Sequence, residues 1–117
     1  MKHERLAACG VDGRGARTWE WKFPDGRQVT AYFRQKGERF AEHYHTGADP
    51  AKNPERFLLI AGAVLVNGDR RLDAAGGPVT LTIEPWERHS MEALEDAWYI
   101  EYRPTWFDPA NPDTVPT

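Results

Sequence analysis

The sequence contains a single cysteine and no long apolar run. Cys9 alone cannot form an internal disulfide or build a cysteine-rich zinc module. The longest apolar stretch, residues 57–66, is shorter than the roughly 20 residues that a membrane-spanning helix needs. The first ten residues, MKHERLAACG, lack the apolar stretch of a secretory signal. These absences predict a cytoplasmic protein that does not associate with membranes.

The sequence also lacks an excess of basic residues. Its 15 Lys and Arg residues are balanced by 18 Asp and Glu residues, which gives a formal net charge of −3. A nucleic-acid-binding surface requires a concentrated basic patch or stripe, so no nucleic-acid partner is expected. A length of 117 residues, 40% of them hydrophobic, is that of one globular domain with its own apolar core.

The distribution of apolar side chains predicts strands. Trp19, Trp21 and Phe23 alternate with charged residues, which is the period-two pattern of a half-buried strand. A proline and a glycine in the turn at 24–26 precede a second alternating segment, so the two segments are predicted to form a hairpin. Similar segments follow, and the predicted strands are 17–23, 29–34, 39–45, 57–66 with a bend or bulge near Gly62, 70–72, 79–83, 89–91 and 98–103.

Short strands at this spacing, with no convincing helix, predict an antiparallel sandwich or barrel in a single domain. Residues 1–16 are expected to be a lead-in that Gly10, Gly13 and Gly15 keep from becoming helical. Residues 17–103 would form the barrel, and the proline-rich tail 104–117 cannot supply a central strand. The Trp106–Phe107 pair of the tail should pack on the barrel flank or on a second subunit. Edge strands with unpaired backbone groups, together with this aromatic tail, favour a homodimer.

Three of the four histidines can meet within this framework. His43 and His45 are two residues apart on a predicted strand, so their side chains share one face. His89 begins a later strand, and Glu55 begins the strand after a long loop. Three imidazoles and one carboxylate can bind one divalent transition metal, which would be Fe, Mn, Ni, Cu or Zn. Two alternatives remain: the histidines could be hydrogen-bonding pocket residues without a metal, and Glu55 could be an exposed partner of a neighbouring basic residue.

The same residues resemble the motifs of the cupin superfamily. Gly37-x5-His43-x-His45, followed by Glu55-x6-Gly62, is similar to the first cupin motif, G-x5-H-x-H-x3,4-E-x6-G. The segment 84–89 is similar to the end of the second motif, G-x5-P-x-G-x2-H. The resemblance implies an all-β, single-domain jelly-roll β-barrel in which His43, His45, Glu55 and His89 bind a metal.

Two departures from the cupin motifs affect the expected site. Nine residues separate His45 from Glu55 instead of three or four, so Glu55 can reach the metal only if residues 46–54 bulge out as a loop. In the second motif Trp86 occupies the position of the glycine before His89. We expect Trp86 to shape the entrance of the site and Glu55 to complete the ligand set or act as catalytic acid or base.

Four residues are predicted to line a substrate pocket. Arg39 lies four residues before His43 on the same predicted strand, so strict alternation places both side chains on one face. Arg39 could therefore bind an anionic group, and a solvated arginine is the alternative. Trp98 and Tyr102 belong to one of the two alternating sets of the last strand, and the pattern does not distinguish the inward set from the outward one. Trp86 completes the predicted pocket.

These residues favour a metalloenzyme that acts on a small polar organic substrate by oxygenation or by isomerisation or epimerisation. A binding module without turnover is one alternative. A narrower resemblance suggests another: HYHT, NPERFLLIAG and the tail WFDPANPDT are similar to segments in the cupin domain of capsular-polysaccharide nucleotide-sugar epimerases. That resemblance implies a metal-dependent sugar-nucleotide epimerase.

Overall fold

The structure is a computed structural model that describes residues 1–11, 15–107 and 113–117. Gly13 of the predicted lead-in and residues 108–112 of the predicted tail lie outside these ranges. Within the described ranges no helix has the length and apolar character needed to cross a membrane. A three-residue 3₁₀ turn, Pro50–Lys52, is the helical element found there.

The described residues form eleven strands in two antiparallel sheets. The strands are β1 (Gly10–Val11), β2 (Arg17–Lys22), β3 (Gln28–Arg34), β4 (Arg39–His45), β5 (Glu55–Ala61), β6 (Ala63–Val66), β7 (Arg70–Asp73), β8 (Val79–Ile83), β9 (His89–Ala93), β10 (Ala97–Arg103) and β11 (Thr114–Pro116). One sheet has six strands in the order β1-β2-β3-β10-β5-β8, and the other has five in the order β11-β4-β9-β6-β7. The predicted all-β, antiparallel jelly-roll architecture is confirmed.

The apolar run at 57–66 is divided between the two sheets. Its first part lies in β5 of the six-stranded sheet, and its second part lies in β6 of the five-stranded sheet. Gly62 joins them with a φ of +84°, and a Cβ at this position would overlap the carbonyl oxygen of Asp96. The sequence predicts a bend or bulge near Gly62, and the structure shows that only glycine allows the chain to change sheets at this close approach.

The inner face of the six-stranded sheet changes from apolar to polar along the barrel. The register of β3, β10 and β5 places Tyr32, Tyr99 and Leu59 side by side. Leu59 and Tyr99 belong to the apolar core, together with Val64 and Val66 of the opposite sheet. Further along the same strands the inward residues are polar, and the buried ones are Gln28, Thr30, Glu101, Arg103 and Glu55.

The tail packs on its own barrel. The indole N–H of Trp106 donates to the carbonyl oxygens of Phe23 at 3.2 Å and Arg27 at 3.1 Å, in the turn between β2 and β3. The final strand β11 then pairs with β4 at the edge of the five-stranded sheet. An edge position is the one that a proline-containing strand tolerates, because it leaves one side of the strand without ladder partners.

Candidate metal centre

A β-bulge in β4 sets the direction of the two histidines on that strand. Ala41 has a φ of +60°, and the pairing with β9 shifts between Phe40 and His43. The extra residue reverses the alternation of the side chains. Phe40 therefore faces the core, where its ring stacks on that of Tyr99 at 5.8 Å, and His43 and His45 also face the interior.

The same bulge corrects the expectation for Arg39. Simple alternation gives Arg39 the same orientation as His43, but the bulge places the two on opposite faces of β4. The Arg39 side chain is 73% exposed, and its Nε lies 3.5 Å from a carboxylate oxygen of Glu92. The structure does not bring Arg39 to the histidines.

His89 and Glu55 complete the cluster from two further strands. His89 begins β9 and is the direct cross-strand partner of His43. Glu55 begins β5 in the opposite sheet, after a loop that contains the 3₁₀ turn Pro50–Lys52. The nine residues between His45 and Glu55 therefore lie in a loop outside the strands, as the expected metal site requires. Glu55 itself is buried, with 3% of its surface exposed.

The four side chains converge on one small volume. His43, His45, Glu55 and His89 each offer one ligand atom, and all four atoms lie within 4.8 Å of one another. Glu55 Oε1 is 2.8 Å from His45 Nε2 and 3.4 Å from His89 Nε2. The His43 ring lies edge-on to both other imidazoles, with centroids 4.6 Å from each.

The ligand atoms are buried without conventional partners. Within the described part of the chain, His45 Nε2, His89 Nε2 and Glu55 Oε1 make no hydrogen bond of acceptable geometry despite their short separations. Buried polar atoms without partners carry a free-energy cost, and a shared cation would remove it for all three. Imidazole and carboxylate are ligands that a divalent transition metal accepts. The residues present therefore fit a metal ion.

The electrostatics of the cluster favour neutral imidazole at His43. Burial lowers the pKa of His43 to about 4, and the neighbouring His89 and His45 contribute to the lowering. Its nitrogen lone pair is therefore available near neutral pH. Burial also acts to lower the pKa of His45, but the adjacent Glu55 carboxylate outweighs burial and raises it. Burial acts to raise the pKa of Glu55, yet His45 and Lys52 hold it below its usual value, so Glu55 is ionised.

Backbone and side-chain acceptors orient two of the imidazoles. His45 Nδ1 lies 2.9 Å from Asp113 Oδ1, and His89 Nδ1 lies 3.1 Å from the carbonyl oxygen of Glu87. With each Nδ1–H donated outward, Nε2 is the nitrogen that each ring turns toward the cluster and the atom that would bind a metal. The other Asp113 oxygen accepts from the backbone N–H groups of Gly47 at 3.0 Å and Asp49 at 3.1 Å.

Sequence reasoning did not identify Asp113. It lies 68 residues from His45 in the chain and precedes the edge strand β11, which brings it next to β4. Nothing in the local pattern of the proline-rich tail marks one aspartate there as a histidine partner. The pairing of β11 with β4 is the feature that positions it.

The three predicted aromatic pocket residues lie on outer surfaces. Trp86 is 65% exposed and stacks on Tyr44, whose side chain points away from the histidines. Trp98 and Tyr102 are 43% and 37% exposed on the outer face of the six-stranded sheet. The inward-facing set of β10 is the buried one, which consists of Ala97, Tyr99, Glu101 and Arg103.

Comparison with known proteins finds solved structures that are similar to this chain. No protein-family model and no curated protein matches the sequence. The capsular polysaccharide assembling protein CapF from Staphylococcus aureus is similar with a TM-score of 0.75 and 24% identity over 97% of this chain. This chain spans 32% of that CapF chain, about a third of its length.

Two smaller proteins match over nearly their whole length. KdgF from Halomonas sp. has a TM-score of 0.63 and 16% identity, covering 90% of this chain and 91% of its own. A cupin superfamily protein from Desulfitobacterium hafniense has a TM-score of 0.59 and 15% identity, covering 92% and 95%. With the two-sheet barrel and the cluster inside it, these likenesses confirm the resemblance: the chain has the jelly-roll fold of the cupin superfamily.

Proposed function

We propose that the chain is a metal-dependent cupin enzyme that acts on a small polar organic substrate. His43, His45 and His89 would hold one divalent transition metal, and Glu55 would complete the ligand set or act as acid or base. The observation that carries the proposal is the convergence of four ligand atoms within 4.8 Å, three of them buried without hydrogen-bond partners.

A bound divalent metal would supply Lewis-acid polarisation of a substrate oxygen at coordination positions that the protein leaves open. The protein's own groups supply the remaining functions. His43 is neutral and binds through its lone pair. Glu55 Oε1 faces the histidines and Oε2 lies 4.0 Å from Lys52 Nζ, whose positive charge helps to keep Glu55 ionised as a ligand or base.

The ligand set leaves two reaction classes. Three imidazoles and a carboxylate suit both redox-active metals and zinc. Activity that consumes oxygen and requires iron assigns the protein to oxygenation. Activity that persists with redox-inert zinc assigns it to isomerisation or epimerisation.

The first test is the metal content of protein purified without a metal-binding tag. Elemental analysis is expected to find close to one divalent transition metal per chain in the wild type. His43→Ala and His89→Ala should each lose most of it, because each removes one nitrogen ligand. His3→Ala is the matched control, because His3 is the remaining histidine and is exposed near the N-terminus. Equal metal content in all four proteins refutes the proposed metal centre.

A second candidate, a metal-dependent sugar-nucleotide epimerase, is favoured by the likeness to CapF over 97% of this chain. It is tested by the thermal stability of the metal-loaded protein with UDP and GDP at saturating concentration. A ligand that binds the native state raises its stability. An increase in melting temperature supports this candidate, and an unchanged melting temperature with both nucleotides removes it.

A further inference from the structure

A second buried polar cluster lies beside the metal centre. Glu101 and Arg103 are 1% and 4% exposed, and both point inward from β10, a central strand of the six-stranded sheet. Tyr32 of the adjacent β3 joins them. The metal centre as described does not use these three residues.

The contacts within this cluster leave part of each charged group unpaired. Arg103 Nη2 donates to the Tyr32 hydroxyl at 3.0 Å and to Glu101 Oε1 at 2.9 Å. The Tyr32 hydroxyl in turn donates to Glu101 Oε1 at 2.7 Å. Arg103 Nε and Nη1 and the other Glu101 oxygen, Oε2, have no hydrogen-bond partner in the described ranges. A buried ion pair stabilises a fold only when its remaining donors and acceptors are satisfied, so a purely structural role accounts poorly for this arrangement.

The strand register places the cluster next to a metal ligand. Tyr102 pairs with Arg56 across β10 and β5, so the next residues in that ladder are Arg103 and Glu55. Both side chains face the barrel interior and are buried. A ligand held by Arg103 would therefore lie next to the Glu55 side of the metal centre.

A second cation and an aromatic ring connect the two clusters. The Phe107 ring lies 4.5 Å from the Arg103 guanidinium and 5.0 Å from Lys52 Nζ. Lys52 Nζ is also 4.0 Å from Glu55 Oε2. Arg103 and Lys52 thus both contact the Phe107 ring, and Lys52 also lies beside Glu55 of the metal centre.

We propose that Arg103 binds the carboxylate of an organic-acid substrate whose remaining oxygen atoms reach the metal centre. The inference rests on the proposed function and deepens it, since it names the substrate class. Arg103 has unpaired N–H groups and a fixed charge, which suit a charge-assisted hydrogen bond to a carboxylate. The incoming carboxylate would compete with Glu101 as the counterion of the guanidinium.

Carboxylate, phosphate and neutral hydroxyl ligands would meet the charges around Arg103 differently. Glu101 and Glu55 are carboxylates on the same inner face, so they repel a phosphate dianion more strongly than a monoanionic carboxylate. A neutral sugar hydroxyl would instead use Glu101 Oε2 as an acceptor. These ligand classes respond differently to the removal of the Glu101 charge, and the experiment uses this difference.

The test measures binding of L-lactate by isothermal titration calorimetry to zinc-loaded protein and to chelator-treated protein. Glu101→Gln removes the competing charge and is expected to tighten lactate binding several-fold. The double variant Glu101→Gln/Arg103→Gln removes both charged partners, so it leaves no unpaired charge of this pair in the interior. Its lactate affinity should fall about ten- to hundredfold relative to Glu101→Gln, since a hydrogen bond to a charged group is lost.

Arg39→Gln is the matched control because it removes an exposed arginine on the outer face of β4 and should leave lactate affinity unchanged. Lactamide, the neutral analogue, and inorganic phosphate should both bind more weakly than lactate. Thermal unfolding of each variant establishes that the proteins compared are folded. Arg103→Lys provides a second variant that retains the charge, and it should bind lactate more weakly than wild type but more tightly than the double variant.

Three results would overturn the assignment of Arg103. The double variant could bind lactate as tightly as wild type, Glu101→Gln could weaken binding, or lactamide or phosphate could bind as tightly as lactate. Failure of the proposed metal function gives a different result, because the protein would then not bind zinc. In that case the dependence of lactate binding on Arg103 is still measured in the chelator-treated protein.

Discussion

At the scale of single residues, Asp113 is the group that determines which nitrogen His45 presents to the cluster. Its Oδ1 accepts from His45 Nδ1, and its Oδ2 accepts from two backbone N–H groups. Burial acts to raise the pKa of Asp113, but the backbone N–H group of Asp49, together with His45 and Gly47, lowers it below its usual value. An ionised Asp113 holds the proton of His45 on Nδ1.

We expect Asp113→Asn to weaken metal binding about ten- to hundredfold, as loss of a residue that orients a metal ligand typically does. Asn retains an oxygen for the backbone donors, but its N–H₂ group can face His45 Nδ1 and favour the tautomer with the proton on Nε2. The measurement is competitive titration of zinc against a chromophoric chelator. Asp69→Asn, in an exposed turn, is the control. Unchanged zinc affinity in Asp113→Asn would show that Asp113 does not orient a ligand.

The site residues differ in how far the sequence could predict them. His43, His45 and His89 follow from strand spacing and motif resemblance, and the structure brings them together with Glu55. Arg103 and Glu101 could not be chosen, because both alternating sets of β10 contain large side chains. A carboxylate such as Asp113 becomes recognisable only after the pairing of distant strands is known.

At the scale of elements, two local backbone features position the site. The bulge at Ala41 turns His43 inward, although the alternation of apolar and polar residues gives no sign of it. Gly62, by contrast, interrupts an apolar run in the sequence, so the sequence itself predicts a bend there. The period-two pattern predicts where strands lie, but a one-residue insertion in the ladder reverses which face each later residue occupies.

Gly62→Ala is expected to destabilise the fold by roughly 3 kcal/mol or more, because a new Cβ meets the backbone of Asp96 in addition to the cost of a positive φ. Gly68→Ala is the matched comparison. Gly68 also has a positive φ, but a Cβ added there would meet nothing within 4 Å, so only about 1–2 kcal/mol should be lost. Chemical denaturation gives both values. Equal losses would show that the close approach at Gly62 costs nothing.

At the scale of the whole molecule, the outer face of the six-stranded sheet is apolar across several strands. The register aligns Trp19 with Ala31 and Ile100, and Trp98 stacks on Trp19 with ring centroids 5.4 Å apart. Ile60 on β5 is 43% exposed on the same sheet. Contiguous exposed apolar surface of this kind marks an interaction site, and a second copy of the chain would bring a face of the same composition.

We therefore expect a homodimer whose mass by light scattering is twice the 13.4 kDa of one chain. Ile60→Lys and Trp98→Lys should shift the protein to the monomer, because each places a charge within the buried face. Trp86→Lys should leave the dimer intact, since Trp86 is exposed beside Tyr44 of the five-stranded sheet. A wild type that is monomeric at high micromolar concentration contradicts this expectation.

The edge strand β11 gives the molecule a physical link between its periphery and its interior. Docking of β11 on β4 brings the Asp113 carboxylate against His45, and release of that strand would free the imidazole to rotate or change tautomer. Any ion that prefers the oriented imidazole must, by thermodynamic reciprocity, hold the strand in place. Detachment of the edge strand and loss of the ion from the centre of the barrel are then thermodynamically coupled, so each promotes the other.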